Sequence, residues 1–181
     1  MLKKSLLIGL LSVAAFISAT AQKVYSTKTA SVKFYSKTPA EDIEATNSQV
    51  DSKLTDKGQM RFNLLIKGFR FDNELMQDHF NSKDWMDSDT YPKAGFVGTI
   101  TNIANINFAK DGTYPATVSG VLTIRGIAQK MQATGSIVVA KGKVSSKSVF
   151  KLKVKDFGIK GKDIGTSIAN ELEITVISKY D

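Results

Sequence analysis

The single histidine of the chain, His79, lies in the segment NELMQDHFNSKDW (73–85), with Glu74, Asp78 and Asp84 close by and the single tryptophan, Trp85, at its end. An imidazole among carboxylates has the makings of a general base or of one metal ligand. The spacing argues against both. With Asp72 as N-cap and Phe71 stapled against Met76, the segment predicts a short helix. On it Leu75, Met76, His79 and Phe80 share one face, while Glu74, Gln77 and Asp78 turn away. The histidine is thereby separated from the acids, and is expected to be buried or half-buried and bonded to backbone. A metal centre draws three or four ligands from His, Cys, Asp and Glu, and this chain has one histidine and no cysteine. Asp84, Asp87 and Asp89 do not have the loop spacing that calcium requires. No Gly-x-Ser-x-Gly elbow offers a nucleophile. The residues assign no catalytic group, no metal and no cofactor.

The segments around this helix alternate with the period of strands. Met60, Phe62, Leu64 and Ile66 fall on one side, with Arg61, Asn63 and Lys67 mostly opposite. Further strands are predicted at 24–29, 31–37, 43–54, 95–101, 113–124, 131–140, 143–155 and 170–179. Asp56-Lys57-Gly58, Asp111-Gly112 and Lys141-Gly142-Lys143 supply residues suited to tight reversals, so the pairing is antiparallel. A sheet of about eight or nine strands hides its edges most directly by closing into a barrel; a sandwich is the alternative, because several strands carry apolar residues on both faces. A barrel of about eight strands either fills with side chains or holds one small ligand. Ten phenylalanines, five methionines and one tryptophan suit either outcome.

Lys3 and Lys4 precede an apolar run from Leu6 to Ile17, and Ala19-Thr20-Ala21 has the form of a cleavage site, so residues 1–21 are expected to be a signal peptide. Cleavage leaves 160 residues (181 less 21), enough for a single domain, 22–181, in the periplasm or the medium, and lowers the formal charge from +8 to +6. The charges segregate along the chain. Eight lysines and one acid lie between Lys141 and Lys162, against five acids and one lysine between Glu41 and Asp56. The basic stretch reads as a solvated strand face or as a landing surface for anionic partners. Nucleic acid is not indicated, since no reading motif is present.

Several stretches taken together are distinctive. LMQDHFNSKDWMDSDTYPKAGFVGTI contains a His-Phe pair, an aromatic residue, Tyr91-Pro92 and a Phe-x-Gly strand in that order. YPATVSGVLTIRGIAQKMQATGSI contains Gly120-x-Leu122-Thr123-Ile124-x-Gly126, and VKDFGIKG and NELEITVISKY follow. The order and spacing resemble the YceI-like family from Val24 to Tyr180. The sequence departs from the family pattern at Arg125, where many members carry a histidine, and at Asp72-Asn73-Glu74, where an arginine pair is common. The resemblance implies an all-β, lipocalin-like antiparallel barrel of about eight strands, with the short helix capping one end beside the mouth. It also implies an exported protein that carries a long apolar amphiphile, polyisoprenoid or fatty-acid-like, without enzymatic activity or stable membrane insertion. A homodimer is left open. The expected cavity residues are Phe62, Leu64, Ile66, Phe96, Ile100, Val118 and Leu122 in the walls and Phe71, Met76, Phe80 and Trp85 around the lid; a one-residue register slip would exchange the inward set for the outward one. The alternative is a packed barrel without ligand that recruits a partner through its basic face.

Overall fold

The computed structural model describes residues 22–181, and the signal peptide expected over 1–21 lies outside the described residues. Eight strands follow in chain order: β1 (Val24–Lys37), β2 (Asp42–Thr55), β3 (Gln59–Leu65), β4 (Lys93–Ile100), β5 (Gly112–Ile124), β6 (Ile127–Ala140), β7 (Lys143–Lys153) and β8 (Glu171–Lys179). Among the described residues one α-helix, α1 (Glu74–Asn81), lies between β3 and β4. Each strand pairs antiparallel with the one before it. β8 then returns to β1, with Ser31 opposite Ile177 and Tyr35 opposite Glu173, so the sheet closes into a barrel. Closure gives every strand two neighbours, which removes the edges that a sandwich would expose.

The boundaries differ from the sequence reading where turns or bulges intervene. The two strands expected at 24–29 and 31–37 are one, β1, with register shifts against β2 between Thr27 and Ala30 and between Ala30 and Val32. A bulge adds twist and bend without ending the strand, which lets β1 pair with β2 along its length and with β8 over its second half. β6 begins at Ile127 rather than Met131, because Arg125 and Gly126, at φ 51° and 74°, reverse the chain in two residues. Lys141 and Gly142, at φ 51° and 76°, do the same between β6 and β7. Asp111-Gly112 is not such a turn. Its carboxylate instead accepts the Lys141 N–H at 3.0 and 3.1 Å, joining two neighbouring connections.

In an up-and-down barrel the connections alternate between the two ends. One end carries the short reversals 56–58 and 141–142 and the β4–β5 connection, whose Ile103, Ile106 and Phe108 fold inward as a plug. The other carries 38–41, the long β3–β4 connection with α1, the Arg125-Gly126 turn and the β7–β8 connection of residues 154–170. The strand walls are therefore similar at both ends, and the connections make one end closed and the other lidded.

Asn47 on β2 is fully buried where β3 leaves the sheet; its Nδ2 donates to the Leu65 carbonyl at 2.9 Å and its Oδ1 accepts the Gln49 N–H at 2.9 Å. Asn47→Ala leaves both backbone groups without these partners and is expected to destabilise by about 2–3 kcal/mol. Urea unfolding should show a lower midpoint with unchanged slope.

Candidate functional site

The barrel interior has two unlike halves. At the closed end Tyr25, Leu54, Met60, Ile100, Ile106, Ala116, Ile137, Val139, Val144 and Tyr180 pack as a dense cluster. Tyr25 stacks on Phe108 at 5.2 Å, and the Tyr180 hydroxyl meets Ser52 Oγ at 3.0 Å, so the polar tip is satisfied. At the lidded end the same inward positions surround a cavity of about 530 Å³, lined almost entirely by apolar side chains. That size falls within the ~300–1,000 Å³ typical of small-molecule sites.

Where the two halves meet, Phe96 lies over two glycines of the wall. Gly98 of β4 stands opposite Gly120 of β5, and Phe62, Phe96 and Leu122 form the adjoining cross-strand row. A Cβ at Gly98 would meet the tip of the Phe96 ring at 2.5 Å, and one at Gly120 would meet it at 2.6 Å. The missing side chains let the ring lie against the barrel wall instead of standing across the interior. Bulk at either position would also press on the neighbouring strand, since the Gly98 Cβ would approach Ser119 O at 2.5 Å.

The lid is held by aromatic packing, a cap and a few polar ties. Phe34, Phe69, Phe71 and Phe80 form one cluster with ring centroids 5.1–5.6 Å apart, fixing α1 to β1 and to the exit of β3. The N-cap is Asn73, not Asp72: its Oδ1 accepts the Leu75 N–H at 2.9 Å and the Met76 N–H at 3.4 Å. That shift moves Phe71 out of the staple position, and it packs on Phe80 and Phe34 instead. No residue of α1 is fully buried, and Leu75 is 63% exposed. The helix covers the mouth without being sunk in the core.

Beyond α1, Lys67 reaches Asp89 at 2.6 Å. The hydrogen bond from Lys67 holds the Asp89 carboxyl below its usual range. A carboxyl whose folded pKa is lowered stabilises the fold at neutral pH, and that contribution is lost as pH falls through the folded pKa. Both groups are exposed, so the tie is weak.

The structure brings Phe62, Leu64, Ile66, Phe71, Met76, Phe80, Trp85, Phe96, Val118 and Leu122 to the cavity wall. Ile66 lies just past the end of β3, in a 3₁₀ turn, but still points inward. Ile100 is the exception. It has the inward parity but sits opposite Val118 on the closed-end side, 3% exposed in the packed cluster, and does not reach the cavity. Wall residues not anticipated come from the other strands: Val32 and Phe34 on β1, Ala133 on β6, Ser148, Phe150 and Leu152 on β7, and Ile174 on β8. Their signal was the same alternation, visible in Phe150 and Leu152 between lysines.

His79 differs from expectation. It is exposed at the rim rather than buried, and its imidazole makes no hydrogen bond among the described residues. An eight-residue helix lying across an opening has no second layer above it to bury its outer turn. Among the described residues no three His, Cys, Asp or Glu side chains cluster closely enough to hold a metal ion. Arg125 has its guanidinium committed to the fold: Nη1 donates to Gly158 O and Nη2 to Lys83 O, each at 3.0 Å, and the group lies 5.7 Å from the centre of the Tyr91 ring.

A closed eight-stranded antiparallel barrel with a lidded apolar cavity is a lipocalin-like architecture. The chain belongs to the YceI-like family, whose domain matches residues 17–179. Among solved structures it is similar to a polyisoprenoid binding domain from Saccharophagus degradans implicated in plant cell wall breakdown (TM-score 0.74, 10% identity, 87% of this chain and 97% of that chain). It is also similar to BcnA of Burkholderia cenocepacia (TM-score 0.64, 22% identity, 82% and 94% of the two chains). A third similar structure is the YceI protein of Campylobacter jejuni (TM-score 0.53, 18% identity, 100% and 99%). Among curated proteins nothing matches. At these identities the structural likeness establishes the fold.

Trp85 lies directly on Gly161, where any Cβ would overlap the indole. Gly161→Ala should therefore lift Trp85 off the β7–β8 connection, and because Trp85 is the single tryptophan, its emission reports the change directly. A red shift and stronger quenching are expected with little loss of stability. His79→Gln, at the exposed rim, should change unfolding free energy by no more than about 0.5 kcal/mol.

Proposed function

We propose that this protein is an exported carrier or scavenger that takes the apolar chain of an amphiphile into the lidded half of the barrel. The observation that carries the reading is the cavity of about 530 Å³ between a packed floor and a helical lid. Phe62, Leu64, Ile66, Phe96, Val118 and Leu122 wall it, with Phe71, Met76, Phe80 and Trp85 at the lid. The YceI-like family and the similar polyisoprenoid binding domain support an isoprenoid or other long-chain lipid as the ligand class.

Each methylene transferred from water to such a wall contributes roughly 0.8 kcal/mol, less the cost of ordering the ligand. Affinity can therefore come from burial alone, with no chemical step. The lid suits reversible entry, because α1 rests on an aromatic cluster and keeps none of its residues fully buried. Export rests on the leader features of residues 1–21, and among the described residues no helix is long and apolar enough to cross a membrane.

The partner-recruiting alternative draws less support from the surface. Along β7, Lys151 faces Glu173 and Lys153 faces Glu171 across the β7–β8 pairing, so the basic strand is flanked by acids.

Ala133→Trp, placed in the cavity wall, should greatly reduce co-purifying or added lipid detected by native mass spectrometry while leaving the barrel folded. Ile100→Trp, placed in the packed half, should instead destabilise by about 1–3 kcal/mol through overpacking. Equal lipid retention in wild type and Ala133→Trp would overturn the cavity as the binding site. Sequencing of the exported protein should begin at Gln22.

A further inference from the structure

Beside the mouth a second hollow, of about 740 Å³, opens between the segment following α1 and the β7–β8 connection. It shares His79, Trp85 and Asp163 with the wall of the apolar cavity, so the two spaces adjoin at the lid. Their linings differ in kind. The second is bounded by Ser82, Lys83, Asp84, Arg125, Lys160 and Lys162, with Gly158 and Gly161 supplying backbone.

Four cationic side chains thus surround this hollow against two carboxylates, Asp84 and Asp163. Among the described residues, none of Lys83, Arg125, Lys160 and Lys162 is in an ion pair. Arg125 holds the hollow together: its guanidinium bridges Lys83 O on one wall and Gly158 O on the other, and its place in the tight β5–β6 turn sets the base. The three lysines are exposed at the rim and free to swing onto a ligand. Between the basic hollow and the apolar cavity stands Trp85, seated on Gly161, with His79 and Asp163 beside it.

An amphiphile whose chain fills the barrel must leave its head at the mouth. The geometry points to this hollow as the seat of that head, and to a phosphate group as the chemistry it takes. The inference rests on the reading of the barrel as a lipid-binding cavity. Cations exceed carboxylates by two, and a phosphate monoester carries about −1.5 to −2 at neutral pH, whereas a carboxylate would leave part of the excess unanswered. Several lysines on a phosphate make charge-assisted hydrogen bonds that a neutral hydroxyl head would not receive.

The test compares geranylgeranyl monophosphate, geranylgeraniol and inorganic phosphate on the delipidated full-length mature protein. The variant is Lys83→Gln/Lys160→Gln/Lys162→Gln, which changes exposed side chains only. Wild type should bind the monophosphate about tenfold or more tightly than the alcohol, as expected for added charged hydrogen bonds. The triple variant should lose that preference while keeping its affinity for the alcohol, and the monophosphate affinity of wild type should fall with rising salt. Inorganic phosphate should neither bind measurably at micromolar concentration nor displace the alcohol.

Equal binding of the two lipids by wild type, or an unchanged preference in the triple variant, would overturn the headgroup seat while leaving the carrier reading intact. Tight binding of inorganic phosphate with no gain from the chain would show a site for a free anion and overturn the lipid headgroup. Failure of both lipids to bind, with no response in the Ala133→Trp comparison, would remove the carrier reading and this inference with it.

Discussion

Everything in this molecule depends on the pairing of β1 with β8. Those hydrogen bonds, from Ser31–Ile177 to Tyr35–Glu173, turn an open meander into a closed wall with one inside and one outside. Once the wall is closed, period-two alternation has a single consequence: every second side chain points into a shared space. The bulges in β1 around Ala30 matter for the same reason, since they bend the strand so that its second half meets β8 while it continues along β2.

The enclosed space is divided by what reaches into it. At the closed end the plug residues Ile103, Ile106 and Phe108 bring extra bulk between the strands, and the interior packs to a core. At the other end connection residues also enter, with Ile66, Met86, Val154 and Ile159 buried together, while Phe96 lies against Gly98 and Gly120 instead of filling the gap. Buried clusters lie at both ends, and the aromatic cluster of Phe34, Phe69, Phe71 and Phe80 holds a lid over the cavity.

Charges separated in sequence are brought together by the same topology. The acidic β2 meets the basic residues of β1 through Lys33 and Glu44 at 2.6 Å, and the lysines of β7 stand opposite Glu171 and Glu173 of β8. Beside the mouth, Lys83, Lys160 and Lys162 are brought together from two connections distant in the chain. The electrostatic character of the rim is thus a product of the loops.

By itself the sequence determined the antiparallel strands, the short apolar-faced helix and the alternating apolar set on β3, because alternation and tight reversals act locally along the chain. That pattern left barrel and sandwich open, and the pairing of β1 with β8 decided between them. The phase of Phe62, Leu64 and Ile66 was legible for that reason, as were Phe96, Val118 and Leu122. Tertiary structure decided how deep each inward residue sits. Ile100 and Phe96 have the same parity on β4, yet one joins the packed core and the other lines the cavity, because only the plug and the Gly98–Gly120 pair distinguish their levels. It also decided the exposure of His79, since helical periodicity assigns a face but not the layer that covers it. The basic hollow was beyond local pattern altogether: Arg125, Lys83 and Lys160 are far apart in sequence, and only closure of the barrel puts the loops that carry them at one end.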